Sequence, residues 1–133
     1  MVAKNQQVRK GAHTVEMAII LPVLFMMFLG FIEFARMEHM RETSALAAYE
    51  GAREGIVPGA KASEVRDAAT SIVLTAGMID STITVTPTTI TDDTPDVTVN
   101  VQIPIDNNAY VTPFFFKGRT INSSFTLRRE IFN

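Results

Sequence analysis

The sequence predicts an α+β protein, with a long N-terminal membrane-spanning helix that continues into a small domain of a second helix and a three-stranded antiparallel sheet. Three observations predict it. Residues 17–32 are uncharged and largely apolar. Residues 65–76 carry apolar side chains at helical spacing, whereas residues 82–86, 97–105 and 121–127 alternate apolar and polar side chains, as half-buried strands do. A three-stranded sheet needs a cover on its apolar face, and the two helices can supply it.

The apolar run sets the domain organisation. A hydrocarbon core needs about 20 residues of helix, so we extend the span to residues 12–35, with Glu16 and Glu33 near its edges. Residues 1–11 then form a basic leader on the cytoplasmic side, by the positive-inside rule. Residues 36–133 form an extracytoplasmic domain. The alternative of a removed secretory signal peptide lacks a small-x-small cleavage site after the run.

We expect the first helix to continue past the membrane and to run from Ala12 to Glu54. Opposite charges at a spacing of three support it: Glu33 with Arg36, Glu38 with Arg41, and Glu50 with Arg53. Gly55, with Pro58 behind it, should end the helix. Several small residues in its distal half either allow another element to approach closely or only reflect helix propensity. They are Ala45, Ala47, Ala48 and Ala52.

The remaining elements follow in order. Ser63 is the expected N-cap of the second helix, and Gly77 its end. The clearest strand has five apolar side chains at odd positions. They are Val97, Val99, Val101, Ile103 and Ile105. The loop 110–116 is aromatic, and we expect Phe114-Phe115-Phe116 to lie under the sheet as core. The alternative is an exposed apolar contact for a partner subunit.

Composition narrows the function. The chain has 12 basic and 14 acidic residues, and three of the bases lie in the first ten positions. The rest carries a net charge of minus five, which disfavours nucleic acid or anionic lipid as a partner. The absence of cysteine excludes disulfides and thiolate metal sites. His39 has Glu42 and Glu38 nearby, but for both His13 and His39 we favour solvated positions on the helix face over a metal site. The acidic turn 92–96 lacks the order of a calcium loop.

No catalytic triad, phosphate loop or acid pair at catalytic spacing is recognisable in the sequence. We therefore predict a protein that is not an enzyme, with no cofactor, no metal and no small-molecule substrate.

Glu16 and Pro22 stand out within the apolar helix. A carboxylate in hydrocarbon costs about 2.5 to 3.5 kcal/mol at the centre of a span and less near its rim, so Glu16 needs a partner. If the chain were cut after Gly11, the new ammonium of Ala12 would lie about one turn away, near 6 Å, in the same helix. Between staggered neighbouring helices the two groups could touch and set the axial register.

Pro22 removes a backbone donor, which predicts a kink. A proline tolerated in a membrane helix by local adjustment is the alternative.

Two segments resemble a known family. Residues 11–16 (Gly-Ala-His-Thr-Val-Glu), followed by an apolar helix with Pro22 and by residues 30–36 (Gly-Phe-Ile-Glu-Phe-Ala-Arg), are similar to the TadE-like minor pilins or pseudopilins of tight-adherence (Tad/Flp) systems, relatives of type IV pilins. The closing residues 128–130 are also similar to the ends of family members. One departure is Met17, where these pilins often place an aromatic residue.

The resemblance implies cleavage between Gly11 and Ala12 by a prepilin peptidase, with Glu16 as the acid at the mature fifth position. It also implies a pilin-like domain, a place in the bacterial inner membrane or in the pilus, and a role in assembling an adhesive pilus. Its partners would be the peptidase, other pilin and pseudopilin subunits and the assembly platform. The alternative is an uncleaved single-pass envelope protein that acts as a scaffold or surface-binding module.

Overall fold

The computed structural model of the chain describes residues 4–129, with side chains from residue 11 onward. The elements are α1 (Lys4–Gly55), α2 (Ala62–Thr75), β1 (Thr82–Thr86), β2 (Asp96–Pro104) and β3 (Thr120–Arg128). This order and the antiparallel pairing of all three strands confirm the predicted α+β fold. The first three residues of the leader and Glu130 of the closing motif lie outside the described residues.

Helix α1 is a single element of 52 residues that includes Pro22. At about 1.5 Å per residue it is roughly 78 Å long. It ends at Gly55, within one residue of the predicted end, but it begins at Lys4 and so takes in part of the leader. The leader favours this because lysine, glutamine and arginine are good helix formers, and one glycine is only a mild interruption.

The N-cap of α2 differs from the prediction. Lys61 occupies the cap position and Ser63 lies inside the first turn, so the assignment of the cap to Ser63 is wrong. The carboxylate of Glu64 accepts a hydrogen bond from the backbone N–H of Lys61 at 2.9 Å. A glutamate three residues after the cap satisfies one of the donors that a helix start leaves open, which lets the helix begin before Ser63.

The end of α2 is as predicted. Gly77 has a φ of +71°, in the left-handed region. Its N–H donates to the carbonyl of Leu74 at 2.9 Å, and the N–H of Met78 donates to the carbonyl of Val73 at 3.1 Å. These two bonds form a Schellman motif, which closes the helix and turns the chain towards the sheet.

The sheet has the order β1-β2-β3, with β2 in the centre. All five predicted odd-numbered side chains of the β2 segment are 2% exposed or less. On the opposite face, polar side chains pair across β2 and β3: Thr98 with Thr126 and Asn100 with Asn122, each at 2.8 Å. The sheet therefore has one face in the core and one face in water, as the period-two pattern predicts.

Small residues let α1 lie close to α2 and the sheet. Ala47, Ala48 and Ala52 are at most 1% exposed, while Ala45 faces water. For three of the four alanines this decides between the two alternatives in favour of close approach.

The glycines of α1 contribute to the same contact. A Cβ atom added at Gly51 would lie 3.1 Å from the Cβ of Ala69 and 3.3 Å from Cγ1 of Val99. At Gly55 it would lie 2.6 Å from Cγ1 of Val97, closer than van der Waals contact permits. Packing therefore requires a glycine at position 55, and at position 51 it leaves room for a Cβ only if the neighbours shift by a few tenths of an ångström.

Candidate functional site

The exposed half of α1, residues 11–35, carries a continuous apolar surface. The 18-residue window with the highest hydropathy in this helix has none of its residues buried, and within the described part of the chain α1 is the one helix long and apolar enough to cross a membrane. Exposed apolar patches of this size mark interaction with lipid or another protein. The helix thus indicates a membrane-anchored protein.

Glu16 lies on this surface with its side chain exposed. Its Oε2 is 3.6 Å from Nδ1 of His13, three residues earlier on the same helix. The sequence interpretation considered only Ala12 as a partner for Glu16, although the spacing of three residues was visible in the sequence. In the uncut chain the nitrogen of Ala12 belongs to a peptide bond, so His13, which is cationic when protonated, is the nearer partner.

The other predicted site residues also lie on α1. Gly11 and Ala12 are exposed, and the space that a Cβ of Gly11 would occupy is open to at least 4 Å. Pro22 lies inside α1 with helix on both sides. The cut after Gly11, the pair of Ala12 with Glu16 and the kink at Pro22 stay predictions.

Glu33 marks the junction between the exposed half and the folded domain. It does not pair with Arg36 as the spacing predicts. Its carboxylate instead accepts hydrogen bonds from three consecutive backbone N–H groups, those of Phe114 at 3.3 Å, Phe115 at 3.0 Å and Phe116 at 2.7 Å. Consecutive N–H groups that converge on one anion form a strong, charge-assisted site. Glu33 thus fixes the loop between β2 and β3 against α1.

Arg36 holds the same loop from the next turn of α1 and is only 7% exposed. Its Nε donates to the carbonyl of Asn108 at 2.7 Å, and a terminal nitrogen donates to the hydroxyl of Tyr110 at 3.0 Å. The other terminal nitrogen lies 3.3 Å from the sulfur of Met78, and the guanidinium carbon is 4.3 Å from the centre of the Tyr110 ring. A buried guanidinium needs such acceptors, which explains why Arg36 is not available to Glu33.

Asn108 fixes the start of the loop. Its side-chain amide nitrogen donates to the carbonyls of Ile79 and Pro104, each at 2.9 Å, and its Oδ1 accepts from the N–H of Ile79 at 2.7 Å. These bonds join the loop to the segment between α2 and β1. The loop is therefore held from two sides.

The aromatic loop, residues 109–117, departs from its predicted place in the core. Phe114 and Phe115 are 76% and 54% exposed, and Tyr110 is 73% exposed, so the expectation that the phenylalanines pack under the sheet is wrong for two of the three. Phe116 alone is partly buried against the core. The bonds to Glu33 hold the loop backbone beside α1, and this directs the other two rings outwards.

A cavity of about 200 Å³ lies between the aromatic loop and α1. Met26 and Leu29 of the exposed half line one side of it, and Phe114 and Phe115 line the other. The loop therefore reaches along the apolar part of the helix.

Among the residues that the structure describes, no three His, Cys, Asp or Glu side chains come together in a group that could hold a metal ion. The chemistry of the site is thus that of an apolar helix with one carboxylate near its start and a charged junction at its end.

Residues 11–53 match the family model described as TadE-like protein. The match covers about a third of the chain, runs from Gly11 to the last turns of α1 and confirms the resemblance seen in the sequence. The match supports an association with Tad pili in general. Comparison with curated proteins and with solved structures gave no match.

Proposed function

We propose that the chain is a minor pilin or pseudopilin of a tight-adherence pilus. It is inserted in the bacterial inner membrane with its N-terminus in the cytoplasm, cut after Gly11 by a prepilin peptidase, and joined to other subunits through α1. The observation that carries this proposal is the exposed half of α1, which combines a continuous apolar surface with the carboxylate of Glu16 near the start of the family match.

The cut changes the electrostatics of the membrane edge. It releases the ammonium of Ala12 and removes the three basic residues of the leader. Glu16 then has an ammonium group available in a neighbouring subunit. A carboxylate left alone in an apolar contact is costly, so helices staggered to form this pair are favoured over other registers.

The packed half of α1, residues 36–55, connects the exposed half rigidly to the folded domain. Its small residues seat it between α2 and the sheet, and the bonds of Glu33 and Arg36 hold the loop at the junction. The domain therefore moves with the helix, which is what a subunit assembled through its helix requires.

Processing is tested by intact-mass measurement of the protein extracted from membranes that contain the prepilin peptidase. The mature chain should begin at Ala12, and Gly11→Leu should keep the leader, since a large side chain replaces the residue before the cut. Gly30→Ala, a glycine change elsewhere in the span, serves as the control and should be cut normally. A wild-type chain that still begins within residues 1–10 would contradict the proposal.

The role of Glu16 is tested separately. Glu16→Ala should be cut but poorly incorporated into the pilus or assembly complex, measured as the ratio of assembled to membrane-retained subunit. Glu38→Ala is the matched control, because Glu38 lies past the span and its ion pair, with Arg41 at 4.0 Å, is within the same helix. Normal incorporation of Glu16→Ala would rule out the register mechanism.

One observation favours a second candidate, an uncleaved single-pass envelope protein that acts as a scaffold or surface-binding module. His13 lies 3.6 Å from Glu16 in the uncut chain, so the carboxylate has a partner without any processing. The same mass measurement separates the two candidates, because only the pilin loses the leader.

A further inference from the structure

We propose that the aromatic loop is a second membrane contact, in which the rings of Phe114, Phe115 and Tyr110 insert into the boundary between lipid headgroups and acyl chains beside α1. This inference rests on the membrane insertion of α1 in the proposed function. It does not depend on processing or on pilus assembly.

The first argument is the position of the loop along the axis of α1, relative to the apolar run. The rings of Phe114 and Phe115 share a cavity with Met26 and Leu29, which lie seven and four residues before Glu33 on the membrane side. At about 1.5 Å per residue, the loop therefore extends up to roughly 10 Å along the apolar run. When that run is in hydrocarbon, the rings lie at the depth of its outer end.

The second argument is the exposure of the rings in the absence of lipid. Tyr110, Val111, Phe114 and Phe115 are each more than half exposed. Phe114 and Phe115 contact each other edge to face at 5.2 Å, and the ring of Phe115 lies where a Cβ of Gly30 would meet it at 3.3 Å. The loop thus adds its apolar surface to that of α1, which it contacts at Gly30, and aromatic side chains are enriched at this level of a bilayer.

The third argument is that backbone N–H groups of the loop have hydrogen-bond partners. Irregular backbone is tolerated near hydrocarbon only where its polar groups have partners. Glu33 accepts from the N–H groups of Phe114, Phe115 and Phe116, and Pro113 has no N–H. From Pro113 to Phe116, the segment that carries the two exposed phenylalanine rings, the backbone therefore presents no unpaired donor.

The charges next to the rings also fit a lipid surface. Arg36 is buried on Asn108 and Tyr110. Lys117, at the end of the loop, is exposed and can extend its ammonium towards the headgroups. Since the chain after the leader is net negative, a zwitterionic bilayer is the partner that this surface fits.

The absence of cysteine allows a direct test with the full-length chain. Phe114→Cys is labelled with an environment-sensitive fluorophore, and the protein is placed in phosphatidylcholine nanodiscs at one copy per disc. Fluorescence is quenched either by spin labels at shallow or deep positions of the acyl chain or by iodide in water. Phe25→Cys reports on the span, and Asp93→Cys, in the exposed turn between β1 and β2, reports on the far end of the domain.

We expect at least twofold stronger quenching by the shallow spin label at position 114 than at position 93, with protection from iodide. Quenching by lipid at position 25 but not at position 114 overturns the inference and leaves the span intact, whereas no quenching at position 25 overturns membrane insertion itself. Protection of position 114 that arises only with two copies per disc also overturns it, because the loop then docks on a second chain. Circular dichroism of each variant confirms that the domain is folded.

Discussion

The two halves of α1 bury their apolar surface in opposite ways. The exposed half carries large side chains such as Phe25 and Phe28, more than half exposed, whereas the packed half presents Ala47, Gly51 and Ala52 to a core that surrounds them. The exposed half needs lipid or another protein to cover its apolar surface, whereas the packed half is covered by the domain of the same chain. Both halves belong to one continuous helix, so the surroundings of each apolar surface distinguish them, and most helix stability in proteins comes from such packing.

The largest expected effect comes from a substitution that disrupts membrane insertion of the exposed half and leaves the packed half intact. Phe25→Arg places a charge near the middle of the span, which costs about 2.5 to 3.5 kcal/mol at the centre of a bilayer. We expect most of the protein to become extractable from membranes by alkaline carbonate. Leu46→Arg, at an apolar position in the packed half that is 50% exposed against 63% for Phe25, is the control. If both variants stay membrane-bound, the contrast between the two halves is wrong.

The next largest effect comes from a substitution that disturbs the packing of the packed half and leaves membrane insertion intact. Gly55→Leu puts a side chain where even a Cβ would lie 2.6 Å from Val97. Overpacking of this kind costs about 1 to 3 kcal/mol. Urea unfolding in detergent, followed by circular dichroism, should show this loss while membrane insertion is unchanged. The same enlargement on the water side, Ala45→Leu, should change the free energy of unfolding by less than about 0.5 kcal/mol. Equal effects of the two changes would contradict the close packing of α1.

A smaller effect tests the role of Glu33 at the boundary between the two halves. Glu33→Ala removes the acceptor of three loop N–H groups, and the loss of charge-assisted bonds on a partly exposed carboxylate should cost about 1 to 2 kcal/mol. Hydrogen exchange at Phe114, Phe115 and Phe116 should accelerate by about tenfold. Glu38→Ala should leave these amides unchanged. Unaltered exchange in Glu33→Ala would show that Glu33 does not hold the loop.

The smallest effect concerns the far edge of the sheet. A hydrogen bond from Arg128 to Asp96, at 3.1 Å, raises the pKa of Arg128, which therefore stays charged at every accessible pH. The pair is open to solvent and salt screens it. Asp96→Asn should leave the melting temperature unchanged within error at low and at high salt. A clear decrease at low salt would show that this edge contributes more than its exposure suggests.

The sequence predicted those parts of the fold that local signals encode. The alternation over residues 97–105 identifies β2 and its buried face, and Gly77 marks the end of α2, because both signals lie within a few residues of their effect. The N-cap was missed since Ser63 has the better capping side chain, yet Glu64 can reach back to an earlier residue.

Contacts between distant residues were not predictable in this way. Glu33 bonds to amides more than 80 residues away in the chain, whereas its spacing suggested Arg36. Three charge-assisted bonds outweigh one exposed ion pair, but only the folded chain brings those amides together. Gly55 was correctly predicted as the end of α1, whereas the packing role of Gly51 was not predicted. Ala47, Gly51 and Gly55 repeat at a spacing of four, which was the available sign of a groove that another element enters.

The uninterrupted course of α1 has a mechanical consequence. Within the described residues, no hinge separates the span from the domain, and Glu33 and Arg36 bind the loop on both sides of the boundary. Each residue of an α-helix turns it by about 100°. If neighbouring subunits slide α1 by one residue and keep the same face in contact, the domain must swing through that angle. The direction in which each domain points is therefore set inside the membrane.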